Sequence, residues 1–172
     1  MQKKIYEILV DKGKDFNLSN CGMHSMDIMR MESGFLHWGH DISPEENQYQ
    51  AGLSFAISNS KSIDFIGKKA LEKIKKDKIK SRFLMFTLEN SKPGEPLLLH
   101  DEPIYLEEKI IGRTTSGNYS FNFKKNLMFG YVNNDFSNDE LQKKKLFVEV
   151  EKQKYPIKLN LKPLKQTNYK NI

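Results

Sequence analysis

The sequence predicts an α+β chain in two units, a mainly helical one over residues 1–80 and an antiparallel β unit over residues 81–172. Two observations carry this. Apolar residues recur at helical spacing up to about residue 80 and at alternating spacing beyond it. The length of 172 residues suits one compact domain or two small ones and excludes a large multidomain machine.

In the first unit Ile5, Ile8 and Leu9 fall at helical spacing, and the pattern stops at Gly13. Asn20 then offers an N-cap for a second helix running to Gly34, a residue type suited to the left-handed position just past a helix end. Within that helix Met23, Met26 and Met29 recur every three residues, and at about 100° per residue Arg30 projects between Met23 and Met26. A guanidinium is thus aimed at an apolar face. Gly52 to Ser58 follows as a strand with Leu53, Phe55 and Ile57 on one side. Asp64 starts a third helix whose Ala70, Leu71 and Ile74 form a buried stripe.

Beyond residue 80, Leu146, Val148 and Val150 share one face against Glu149 and Glu151. Tyr155, Ile157, Leu159 and Leu161 interleave with Lys158 and Asn160 in the same way. With Phe83 to Leu88, Ile104 to Leu106, Lys109 to Ile111 and Leu127 to Asn133, about six short strands result. Separated by turn residues, they indicate a small barrel or sandwich. Lys143-Lys144-Lys145 reads as a turn between two of them.

Lys+Arg 28 against Asp+Glu 22 gives a net charge of +6, and the pI near 9.2 implies a surface suited to anions such as nucleic acid or a small polycarboxylate. The lysines between Lys68 and Arg82 have no aromatic residues interleaved as stacking platforms, so they read as a solvated helix face and no nucleic-acid partner is expected. Cys21 is the one cysteine, which rules out an intrachain disulfide and leads us to expect a reduced, cytoplasmic setting. No run approaches the ~20 apolar residues of a membrane span, and the patch ending at Val10 is too brief for a signal peptide, so no membrane partner is expected.

His37, His40 and Asp41 bring two imidazoles and a carboxylate close together, but the helical spacing of a zinc site is absent. Ordinary loop hydrogen bonding is expected there, and no metal. Gly112 to Gly117 superficially resembles a phosphate loop, yet Asn118 stands where the lysine belongs and both flanks are strands. These are read as turn glycines between strands. Arg30 stands apart, because a guanidinium on an apolar helix face is costly unless it meets a partner. Two partners fit: an internal Asp or Glu in a buried structural pair, or a carboxylate or flat heterocycle brought by a ligand. Trp38, the single tryptophan, is placed just past the helix to stack on a planar ligand or to fill the core.

Arg30-Met31-Glu32-Ser33-Gly34-Phe35, then Trp38-Gly39-His40-Asp41-Ile42, then Gln50-Ala51-Gly52-Leu53 resembles a stretch of the glycine-cleavage T-protein family. The similarity continues in order through Asp64-Phe65-Ile66-Gly67-Lys68-Lys69-Ala70-Leu71, Ile111-Gly112 with Thr115-Ser116-Gly117, and Lys125 to Val132. Trp38-Gly39-His40-Asp41 is closest to the variant in the folate-binding modules of dimethylglycine and sarcosine dehydrogenases.

The resemblance implies the C-terminal part of a T-protein-like folate-binding α/β core over residues 1–80, followed by a small antiparallel β-barrel over residues 81–172. It implies transfer of a one-carbon unit from an amine or methyl donor to tetrahydrofolate, with Arg30 touching the folate and Trp38 beside it. Glu32 also matches the family pattern, but it projects nearly opposite Arg30 on a helical wheel, so an ion pair or cap is expected of it. Family members carry, upstream, an aspartate that assists proton transfer and a glutamate segment that grips the pterin ring. Neither is in this sequence. No catalytic residue, metal or flavin is therefore assigned to the chain, activity is expected to need a missing N-terminal half, and that half or a second copy in a homo-oligomer is the expected protein partner. The alternative is a stand-alone folate-binding or protein-interaction module without catalysis.

Overall fold

The computed structural model describes residues 1–58, 64–77 and 79–165. Six antiparallel strands, β1 (Ser81–Leu88), β2 (Pro103–Leu106), β3 (Lys109–Ser120), β4 (Lys125–Asn133), β5 (Leu146–Val150) and β6 (Gln153–Asn160), close into a barrel in the order β1-β4-β3-β2-β5-β6. The alternation read from the sequence is the consequence of that closure: every second side chain points inward. Phe86, Leu88, Ile104, Ile111, Met128, Val132, Val148 and Leu159 fill the interior. Closure gives every strand two neighbours, although Ser81–Leu84 of β1 extend past the residues paired with β6.

Among the described residues, four α-helices accompany the barrel: α1 (Gln2–Gly13), α2 (Met23–Glu32), α3 (Lys68–Lys76) and α4 (Asn138–Lys143). α4 inserts Leu141 into the barrel core, while α2 packs against the outer face of β4, where Ile28 and Met31 meet Met85, Leu127 and Phe129. This explains the unbroken apolar run Leu127-Met128-Phe129. Met128 faces the barrel interior, while Leu127 and Phe129 face the helix, so the strand is buried on both sides.

Several elements differ from the sequence reading. Gly22, not Asn20, is the N-cap of α2, and the Asn20 amide instead bonds the Tyr6 hydroxyl at 3.1 Å. The stripe that α2 buries is Ile28, Met31 and Glu32, while Met23, Met26 and Met29 are exposed. α3 begins at Lys68 rather than Asp64, with Ala70 exposed and Leu71 and Ile74 only half-buried. Lys143 closes α4 instead of forming a turn. That helix carries a capping box between Ser137 and Glu140, a Ser-x-x-Glu pattern that was present in the sequence. Gly52 to Ser58 is not a strand: Ser54–Ala56 forms a single 3₁₀ turn. Lys78 lies outside the described residues.

The glycines expected in a turn at Gly112 to Gly117 lie inside β3. Gly112 is there because its backbone approaches β4, and a Cβ at that position would sit 2.0 Å from the Tyr131 carbonyl oxygen. Gly34 ends α2 as expected, with φ +78°. The amides of Gly34 and Phe35 bond the carbonyls of Met31 and Arg30 at 3.0 and 2.9 Å, closing a Schellman motif.

Gly112→Ala forces β3 and β4 apart, and a loss of about 2 kcal/mol is expected, the scale of an overpacked core. Urea denaturation of the purified chain measures it, and an unchanged midpoint would show that this close approach is dispensable.

Candidate functional site

The site is assembled by a loop that leaves α2 and returns to the barrel. After Phe35 the chain turns at His37 to Asp41, where the amides of His40 and Asp41 bond the His37 carbonyl at 3.2 and 2.8 Å. This turn carries Asp41 inward until its side chain has 0% exposure. Four donors converge on the carboxylate: the Arg30 guanidinium, the His37 amide at 2.9 Å, the Thr115 hydroxyl at 2.6 Å and the Ser116 hydroxyl at 2.8 Å. Adjacent residues of a regular strand point to opposite faces, yet Thr115 and Ser116 reach the same oxygen. The β3–β4 register shifts between Thr114 and Ser116, and this bulge re-aims the two hydroxyls together.

Every nitrogen of the Arg30 guanidinium is engaged within the chain. Nε bonds Asp27 at 2.8 Å, Nη1 bonds Asp41 and the Phe35 carbonyl, and Nη2 bonds Ser116 at 2.7 Å and pairs with Asp27 at 2.7 Å. The guanidinium carbon also lies 5.3 Å from the centre of the Phe129 ring. Of the two partners open to Arg30, the internal acid is the one present. The Tyr131 hydroxyl caps the arrangement by donating to the Asp41 carbonyl at 2.9 Å, and burial pushes its phenol well above the ordinary range.

Arg30 is nevertheless not walled off. It lines a cavity of about 430 Å³ between α2 and the Leu97–His100 segment, with Met23, Met26, Leu97 and Leu99 as apolar walls. Thus Arg30 does sit with Met23 and Met26, as the helical spacing predicted, on an open wall rather than a packed core. All four histidines of the sequence, His24, His37, His40 and His100, line this cavity. The rings of His37 and His40 lie 4.6 Å apart. Among the described residues, no group of three His, Cys, Asp or Glu is placed to hold a metal ion. Beyond His40 and His100 the cavity meets a polar recess with Ser43, Glu46, Asp101 and Arg113. Hydrogen bonds from His100 and Arg113 hold the Asp101 carboxyl below its ordinary range.

Trp38 is not beside Arg30. It lines a separate groove of about 910 Å³ with Phe35, Leu53, Phe55, Leu161 and Pro163, and Leu36 alone borders both spaces from between them. Glu32 makes neither the ion pair nor the cap expected of it. Buried at 1% exposure, it accepts from the Ser120 hydroxyl at 2.6 Å and the Asn122 amide at 2.9 Å. Asp27, Thr115, Ser116 and Tyr131 escaped the sequence reading. Of these, Asp27 was signalled by its i, i+3 spacing to Arg30; the barrel residues are brought in only by the fold.

Fold and site together define a helix-plus-barrel protein with a ligand-sized cavity at the junction of the two parts. Residues 1–61 match the family model described as "GCVT N-terminal domain" and residues 82–165 the one described as "Glycine cleavage T-protein C-terminal barrel domain". The chain belongs to the glycine-cleavage T-protein family. It is 34% identical over 128 residues to human mitochondrial dimethylglycine dehydrogenase, covering 74% of this chain and 14% of that protein. It is 39% identical over 119 residues to 4-methylaminobutanoate oxidase (formaldehyde-forming) of Paenarthrobacter nicotinovorans, covering 69% and 14%. The crystal structure of the glycine cleavage system aminomethyltransferase T of Bartonella henselae superposes with a TM-score of 0.76 at 23% identity, covering 92% of this chain and 43% of that one. The chain therefore spans about one-seventh of these curated relatives and less than half of the solved one.

Asp41→Asn removes one partner of a buried ion pair and is expected to cost about 3 kcal/mol, whereas the double variant Arg30→Met/Asp41→Asn should lose clearly less than the two single losses combined. A double-mutant cycle in urea measures the coupling; additive losses would show that the two side chains do not depend on each other.

Proposed function

We propose that this chain forms the barrel-bearing half of a tetrahydrofolate-dependent aminomethyltransferase or dimethylglycine/sarcosine dehydrogenase-like enzyme. In this reading it contributes to moving a one-carbon unit from an amine donor to tetrahydrofolate. Family membership supports the reading, and the observation that carries it is the placement of Arg30 on the wall of an apolar, ligand-sized cavity. Reduced folate has a flat ring system and an anionic glutamate tail, so apolar walls and a fixed positive charge complement both ends.

The hydrogen-bond inventory defines what Arg30 does. Its N–H groups are spent on Asp27, Asp41, Ser116 and the Phe35 carbonyl, so it acts on a ligand through its charge and its flat face rather than by forked hydrogen bonds. Asp41 is then a positioning residue, holding that plane through a carboxylate that never meets the ligand. No group on this chain is assigned a proton-transfer step, because the family's catalytic aspartate lies in sequence that this chain does not contain. The complementing half supplies it.

The saturation of Arg30 favours a second reading, in which the same fold serves as a non-catalytic folate-binding or protein-interaction module. Isothermal titration with 5-formyltetrahydrofolate separates the two. The chain alone should bind weakly or not at all. A fusion of the full chain to the part of the Bartonella henselae aminomethyltransferase T that it does not cover should bind, and Arg30→Met should weaken that binding at least about tenfold. Equal affinity in the variant fusion would remove Arg30 from the folate site.

A further inference from the structure

The cavity wall that carries Arg30 has its strongest donor already spent, since every nitrogen of the guanidinium is bonded within the chain. A carboxylate on a ligand therefore needs other N–H groups. Imidazoles supply them. His24, His37, His40 and His100 all line this cavity, and His40 and His100 also border the polar recess beyond it. His100 is committed, its Nδ1 lying 2.9 Å from the Asp101 carboxylate. Among the described residues, no side-chain hydrogen bond occupies the ring nitrogens of His24, His37 or His40.

His37 and His40 differ from His24 in two respects. Their ring centroids lie 4.6 Å apart with the planes tilted by 32°, so a single anion can face both. They also stand on a turn that is fixed to the Arg30 site. The His37 amide donates to the Asp41 carboxylate at 2.9 Å, and the His40 amide to the His37 carbonyl at 3.2 Å. Groups held in place this way cost little to order on binding. Both residues are exposed, so their rings exchange protons with water.

Charge decides the form in which they act. Arg30 on α2 and Arg113 on β3 are the fixed cations facing this turn. Against them stand Asp27 on α2, Asp41 in the turn itself, Asp101 beside His100, and Glu45 and Glu46 in the recess. With neutral imidazoles the acids outnumber the bases, and an incoming carboxylate is repelled. Imidazole is the side-chain type whose ordinary titration falls between about pH 5 and pH 8, so protonation of these rings offsets that repulsion. An anion facing both rings also relieves their own repulsion once both are charged.

We propose that His37 and His40 are the carboxylate-recognising groups of this cavity, and that they take up an acidic ligand together with a proton from solvent. The proton goes to an imidazole nitrogen, the carboxylate stays ionised, and no covalent bond forms or breaks. For the identity of the ligand this rests on the folate reading, in which the glutamate tail brings the carboxylates. Because the ligand favours the protonated rings, affinity is highest at low pH and falls as pH rises through the range in which imidazole titrates. Arg30 then supplies a fixed charge and a flat face, and the histidines supply the hydrogen bonds that Arg30 has none left to give.

Isothermal titration of the fusion described above with 5-formyltetrahydrofolate, run in buffers of different ionisation enthalpy, reads affinity and proton uptake together. Affinity should fall roughly tenfold between about pH 6 and pH 8.5, with about half a proton or more taken up per ligand near neutral pH. In the His37→Gln/His40→Gln variant the profile should be flat, while the affinity near the alkaline end should match that of the unaltered fusion. Binding with neither pH dependence nor proton uptake overturns the proposal and leaves the folate reading standing. A variant that keeps the slope places the proton elsewhere and overturns it as well. So does a variant weakened equally at every pH, whose rings would only shape the wall. If the fusion binds no 5-formyltetrahydrofolate, the folate reading falls, and the histidines are judged on the full chain alone with millimolar 4-aminobenzoyl-L-glutamate as the probe. Proton uptake that the double variant abolishes then upholds the carboxylate site, and its absence overturns it.

Discussion

A carboxylate with no exposure, Asp41, holds the helical part of this protein to its barrel. It takes charge from Arg30 on α2 and hydroxyl hydrogen bonds from Thr115 and Ser116 on β3, while its own backbone carbonyl takes the Tyr131 hydroxyl on β4. A helix and two consecutive strands distant from it in sequence meet on one residue. Burying an ion pair adds little stability by itself, because desolvation opposes the attraction, but an unpaired member of the pair is severely penalised. The arrangement therefore selects a geometry more than it strengthens the fold, and it fixes where the guanidinium faces the cavity.

The two carboxylates of this region show how differently such groups are accommodated. Asp41 meets a cation, whereas Glu32, one turn of α2 from Ile28, meets a hydroxyl and an amide at the end of β3 and just beyond it. Both anchor α2 through side chains, and the apolar contact of Ile28 and Met31 with Leu127 and Phe129 lies between them. The helix is thus pinned by polar contacts at both sides of its buried stripe. The bulge in β3 belongs to the same design, because a regular strand would deliver only one of the two hydroxyls to Asp41.

How much was legible in the sequence follows from how local each signal is. The existence of all six strands was readable, since an inward and outward alternation is imposed on each by the barrel it closes, but β3 was read only over Lys109 to Ile111 because its glycines look like a turn. The end of α2 was readable at Gly34, because a left-handed terminus leaves a residue-type mark. The need of Arg30 for a partner was readable, but the partner was not: Asp41 is eleven residues away and Ser116 eighty-six, and only the fold brings them in. The methionines misled because their spacing is helical whether they face a core or a cavity. Trp38 and Arg30 lie close in sequence yet line separate spaces, since α2 ends at Gly34 between them and the chain leaves the helix direction there. Gly52 to Ser58 has the alternation of a strand but closes a 3₁₀ turn at Ser54–Ala56 instead.

The end of the described chain returns to α2. The Lys165 amide bonds the Glu32 carbonyl at 2.9 Å, Leu164 packs on the cluster of Ile28 and Met31, and the Pro163 ring sits where Gly34 has no side chain. During synthesis α2 emerges before the strands it leans on and the tail that closes its last turn. At ribosomal rates the interval is roughly ten seconds. Throughout that time the helix is a short segment whose buried stripe has nothing to pack against, too brief to persist unaided. Nascent α2 must therefore wait for the barrel, so a helix made before the strands acquires its structure only with them.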